Sequence, residues 1–366
     1  MIIQNQTRFD ELESLRGLAA WLVVLFHIPK WNAILDVGII NNSYLMVDFF
    51  FVLSGFVIFY SYGTKITAKE DLFRFQFLRF ARLYPVHILF LLVFLFFEIA
   101  KQFVQTKWGI ESVNSSPFRE NNFSAFFQQV FLVHALGPTG NSTSFNSPAW
   151  SISTEFYTYL FFGWSLIFIK AKRALFFVAV SLGSLALLGS SWAVGFEEIL
   201  RCWSGFFIGC LIAQFIKHIQ IQMPKYFSFL VGVSLLLFLQ FKPDKQQDLW
   251  IYLFSALLIA ALVLSRKGAL SKWLSSPFLV GLGALSYSVY MSHAAIIWIV
   301  SQCLRLVFRK PESLMKGQMI PQLGLWETLA ATLILCFFVL VVSIFVYRWI
   351  EKPLREKSRQ SVLRSR

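Results

Sequence analysis

Arg16 and His27 stand eleven residues apart in an apolar segment, Leu15–Ile28. At ~100° per residue a helix brings them back to within about 20° of one direction, about 16 Å apart along the axis. An imidazole can take a proton from a hydroxyl, and a guanidinium can bind an anion. Both are costly in lipid, so both are expected to face the protein interior or a watery cavity. Four further positions carry similar chemistry. Arg79 and Arg82, at i and i+3, share a helix face and suit phosphate through paired hydrogen bonds. Asp48 and Glu155 are single carboxylates in apolar surroundings, suited to orienting and charge-balancing an imidazole.

The elements that must position these groups are membrane helices. The chain has 57% hydrophobic and only 14% charged residues, with a mean hydropathy of +0.63. Soluble domains carry roughly 25% charged residues. The expected fold is all-α, a polytopic bundle of about ten transmembrane helices over 11–29, 44–62, 82–104, 147–169, 174–191, 198–216, 226–241, 249–265, 279–303 and 326–349. Phe123–Leu136 is too short to span and is expected to be interfacial or re-entrant. The 105–146 loop is expected to be irregular; its Asn-X-Ser/Thr triplets at Asn114, Asn122 and Asn141 mark glycosylation only in a eukaryotic secretory setting. The first apolar run is full length and lacks a small-residue cleavage site, so no cleaved signal peptide is expected. Cys202, Cys210, Cys303 and Cys336 lack metal or disulfide spacing and read as core fillers. No metal site is expected.

Orientation follows from the basic residues. With the N-terminus inside, Arg8, Lys65, Lys69, Arg74, Arg79, Arg82, Lys170, Lys172, Arg173, Lys217, Lys225, Arg266, Lys267, Lys272 and the tail Arg348–Arg366 all fall on one side. Both termini are therefore expected in the cytoplasm. The net charge of +14 is accounted for by these loops facing anionic headgroups; the aromatics lie in the spans, and no nucleic-acid partner is expected.

On this topology Arg16, Arg79 and Arg82 lie near the inner face, whereas His27, Asp48 and Glu155 lie at comparable depth toward the outer face. One cavity would then hold an anion site at one end and an acid–base site at the other. Asn146-Ser-Pro148 is a helix start that would fix Glu155 relative to the outer mouth. His293, mid-span, is open between cavity lining and helix packing. Pro353, after Glu351, stops the last span. Spacing supplies no partner for His87, His134 or His218.

These residues fall in motifs that resemble the acyltransferase 3 family of membrane acyltransferases. The motifs are Glu13-Ser-Leu-Arg16 before His27, Val47-Asp-Phe-Phe-Phe-Val-Leu-Ser-Gly55, Arg79-Phe-Ala-Arg82-Leu-Tyr-Pro85, Pro148-Ala-Trp-Ser-Ile-Ser-Thr-Glu155, Leu285-Ser-Tyr-Ser-Val-Tyr290 with His293, and Ile350-Glu-Lys-Pro353. Met46 stands where the family usually has glycine. The resemblance implies a transmembrane acyltransferase domain over 1–357 and a basic cytoplasmic tail over 358–366, as in stand-alone members without a secreted hydrolase-like domain. It implies transfer of an acyl group, commonly acetyl from acetyl-CoA, to a hydroxyl of an envelope or exported carbohydrate, in a bacterial inner membrane. It implies importance for Arg16, His27, Asp48, Arg79, Arg82 and Glu155, with coenzyme A phosphates at Arg79 and Arg82. A multi-pass transporter of a small anionic or carbohydrate-linked substrate is the alternative; against it stand the lack of an internal repeat and of paired Gly/Pro-broken spans.

Overall fold

The computed structural model describes residues 9–219, 221–265, 268–315 and 317–364. Arg8, Arg266, Lys267 and Arg366, used above for orientation, lie outside these residues. Each of the ten apolar segments coincides with a helix: α1 Asp10–His27, α2 Met46–Tyr62, α3 Lys69–Trp108, then, after a short α4 Phe123–Val130, α5 Trp150–Phe168, α6 Arg173–Leu188, α7 Glu197–Ile216, α8 Phe227–Phe241, α9 Trp250–Leu264, α10 Pro277–Gln302 and α11 Leu325–Val346. A last helix, α12 Lys352–Arg364, follows one turn of π-helix at Tyr347–Glu351. By length and apolar composition, six of the helical stretches among the described residues can cross a membrane, and α6 and α8 are shorter apolar helices. The bundle is that of a helical membrane protein.

Three departures from expectation bear on the site. The chain is not wholly helical: Glu312–Met315 pairs antiparallel with Gln318–Pro321. Helix α3 runs 40 residues, about 60 Å, roughly twice the hydrocarbon thickness. It starts 13 residues before the expected span because Asp71 Oδ2 accepts from the backbone N–H of Thr67 and Ala68 at 3.1 and 3.2 Å, and it ends at Gly109, whose φ of 65° suits glycine. Arg79 and Arg82 thus stand mid-helix, not at a helix start. Lastly, α12 runs through 357/358 and packs along α3.

Two helix pairs form the centre. Helices α2 and α7 touch backbone to backbone, since a Cβ on Gly55 would lie 1.8 Å from the Phe206 carbonyl oxygen. Helices α1 and α10 do likewise, a Cβ on Gly17 falling 2.7 Å from the Gly283 nitrogen. The close approach at Gly17 seats Arg16 against α10. Around these pairs, α11 turns Leu335, Val339 and Val346 inward and Leu333, Phe337 and Phe345 outward, as lipid on one side requires. Cys202 and Cys210 do fill the core, while Cys303 is exposed and Cys336 half-buried; all four are free thiols.

Candidate active site

Arg16, Arg79, Arg82 and Glu155 line one cavity, together with Tyr159 and Tyr290. Five helices contribute to it: α1, α2, α3, α5 and α10. The expected sharing of a face by Arg79 and Arg82 is met, since both enter it. Arg79 is buried in an aromatic box, its guanidinium 5.4 Å from the Tyr62 ring centre and 5.6 Å from that of Phe75. Its Nη2 donates to the Tyr62 hydroxyl at 3.3 Å. Such stacking holds the guanidinium plane while leaving its edge free to bind. The Nε atoms of Arg79 and Arg82 are both buried without a protein acceptor, which fits an anion supplied from outside the chain. Arg16 reaches Glu13 at 3.4 Å.

Glu155 is not where its helix start was expected to put it. Pro148 and Ala149 are buried, and the segment before α5 enters the protein: Asn146 Nδ2 donates to Met291 O at 3.0 Å and the Tyr290 hydroxyl to Pro148 O at 2.9 Å. Helix α5 therefore begins deep, and Glu155 lies with the arginines instead of with His27. Its Oε1 accepts from Ser54 at 2.6 Å and from Tyr159 at 2.5 Å.

Asp48 also has other partners. Arg201 grips it with two bonds, Nε at 3.0 Å and Nη2 at 2.6 Å, and the Tyr252 hydroxyl donates at 2.8 Å. This bidentate pair ties α2 to α7 and α9. Arg201 lies 4.8 Å from the Trp150 ring centre. The signal for it was present in the sequence as a lone cation within apolar α7, which a buried carboxylate elsewhere must answer.

The neighbour of His27 is His293. His27 Nδ1 lies 2.9 Å from Val23 O and 3.3 Å from His293 Nε2, and His293 Nδ1 lies 3.3 Å from Val289 O. A carbonyl only accepts, so both Nδ1 atoms carry hydrogen. His293 Nε2 then accepts from His27, and His27 Nε2 keeps its lone pair. The half-buried His27 ring is not among the cavity's lining residues; Tyr290, which lines the cavity, has its ring 5.8 Å from that of His293.

Glu351, which the sequence placed in a motif without a role, also has partners in the fold. It is buried, accepts from Ser288 Oγ at 2.8 Å, and lies within electrostatic range of Arg82, Arg355 and Arg16. The π-helical turn that carries it is a geometry often found at functional sites. Among the described residues no His/Cys/Asp/Glu group could hold a metal ion.

The fold and the site define a helical membrane protein with a buried arginine–carboxylate cavity and a paired His27 and His293. Comparison with known proteins gives the family: residues 9–348 match the acyltransferase domain of the acyltransferase 3 family, to which the chain belongs. The O-acetyltransferase OatA of Staphylococcus aureus (strain NCTC 8325 / PS 47) is 26% identical over 94% of this chain. This chain spans 57% of that relative's length. Protein 2 in the picA locus of Rhizobium radiobacter is 34% identical over 40% of this chain and 77% of its own length. No solved structure matches.

Proposed function

We propose that the chain is a membrane O-acyltransferase that moves an acyl group, acetyl from acetyl-CoA in the simplest case, to a hydroxyl of an envelope or exported carbohydrate. The observation that carries this reading is the convergence of Arg16, Arg79, Arg82 and Glu155 on one cavity beside the His27–His293 pair. The ten helices cross an inner bacterial membrane with both termini in the cytoplasm, and the arginines meet the coenzyme A phosphates from that side. His27 Nε2 accepts the acceptor hydroxyl proton as the oxygen attacks the thioester carbon. The C–S bond then breaks, and the proton on His27 passes to the departing coenzyme A thiolate. While His27 is charged, its Nδ1–H donates to Val23 O and His293 Nε2, which spread the positive charge. His293 is a positioning residue in this scheme. Asp48 acts through Arg201 by holding α2, and Glu155 offsets the arginine charge.

The test uses purified protein in detergent with radiolabelled acetyl-CoA and a soluble sugar acceptor. Thioester consumption that disappears in His27→Ala supports the reading. Folded wild-type protein that consumes no thioester, but moves a substrate across vesicles unchanged, overturns it in favour of a transporter.

A further inference from the structure

Helix α12 lies beyond the 9–348 region matched by the family, and it adds charge to the arginine end of the cavity. It packs along α3, the helix of Arg79 and Arg82, with Ser358 buried. Arg355 sits one turn after Glu351, so the two share a face. Its guanidinium lies 5.9 Å from the Tyr347 ring centre, and its Nε is buried without a protein acceptor. Arg359, one further turn along the same face and exposed, stands within charge–charge range of Arg355, Arg79 and Arg82.

Five guanidiniums, Arg16, Arg79, Arg82, Arg355 and Arg359, therefore gather against three carboxylates, Glu13, Glu155 and Glu351. Each carboxylate already accepts from a protein group: Glu13 from Arg16, Glu155 from Ser54 and Tyr159, Glu351 from Ser288. The excess charge lies in two sets, one in the cavity wall and one on α12. A ligand carrying two separated phosphate groups matches that division. The wall pair suits the group nearer the reacting end; the α12 pair, with its exposed Arg359, suits a group that stays at the surface.

We propose that Arg355 and Arg359 bind the ribose 3′-phosphate of coenzyme A, while Arg79 and Arg82 hold its diphosphate. The inference rests on the coenzyme A reading above. Helix α12 is then a selectivity element that distinguishes coenzyme A from 3′-dephospho-coenzyme A.

The experiment measures the affinity of the full chain, in phosphatidylcholine nanodiscs, for coenzyme A and for 3′-dephospho-coenzyme A. Wild type is expected to prefer coenzyme A at least about tenfold, the worth of a hydrogen bond to a charged group. Arg355→Gln/Arg359→Gln is expected to bring the ratio close to one while keeping its affinity for the dephospho form, which also shows that it is folded. Should the double variant not fold, Arg359→Gln alone, on an exposed position, is expected to lower the ratio. Arg79→Gln/Arg82→Gln is expected to weaken both ligands alike. A preference that survives removal of both α12 arginines, or a wild-type ratio of one, overturns the proposal. Failure of wild type to bind either nucleotide overturns the coenzyme A reading itself.

Discussion

His293 Nε2 lies 3.3 Å from His27 Nδ1, although the two residues are 266 positions apart. The contact exists because α1 and α10 meet backbone to backbone at Gly17 and Gly283, and it gives His27 an acceptor that fixes its tautomer. His27→Ala is expected to lower kcat by about 10²–10⁴-fold, the usual worth of a general base. His293→Leu is expected to cost about 10- to 100-fold, the worth of a hydrogen bond to a charged group, and to move the pH–rate profile. His293→Gln, whose amide oxygen can still accept, is expected to recover part of that loss. An unchanged pH profile in His293→Leu would leave His293 with packing alone.

The buried guanidinium of Arg79, boxed by Tyr62 and Phe75, makes a different demand from a simple point charge. Arg79→Lys keeps the charge but loses the planar fork and the stacking. Isothermal titration is expected to show Arg79→Lys weakened toward coenzyme A by about tenfold or more. Affinity equal to wild type would mean that the site reads charge without geometry.

Asp48 and Arg201 form a partly buried bidentate pair whose role is to hold three helices together. Removing one partner leaves the other's charge unpaired, at a cost of about 3 kcal/mol. Asp48→Ala is expected to lower the unfolding temperature in detergent markedly, and Asp48→Leu/Arg201→Met to restore much of it. If the double variant is stable yet has wild-type thermal behaviour and no activity, Asp48 acts in the chemistry and not through the frame.

His134, in the loop between α4 and α5, is fully buried. Burial, and next the neighbouring His87, push its imidazole down to about 3. The unfolded chain, with an ordinary histidine near 6.5, binds the proton first, so stability falls as pH drops from about 6.5 toward 3. Thermal unfolding measured at pH 7, 5.5 and 4.5 is expected to show that loss, and a His134→Phe variant to show a shallower one. Equal slopes in the two proteins would remove His134 as a source of the acid sensitivity.

Much of the frame was legible in the sequence alone. Long apolar runs with one or two charges favour helices in lipid, because every backbone group must be satisfied internally. Hence each apolar segment coincides with a helix, although α3 overruns its segment and six helical stretches among the described residues are long and apolar enough to cross a membrane. Local geometry fixed further relations: Arg79 and Arg82 on one face, and Arg16 and His27 on one stripe. Tertiary structure decided the pairings. Asp48 and Glu155 were expected beside His27, but each meets groups on other helices, Arg201 and Tyr252 for one and Ser54 for the other. Which helices touch depends on close approaches such as Gly55 on Phe206, and how deep a helix begins depends on how the preceding loop is swallowed, as at Pro148. These are long-range packing outcomes with no period in the sequence, which is also why the partners of His293 and Glu351, His27 for one and Ser288 for the other, emerged only once the chain was folded.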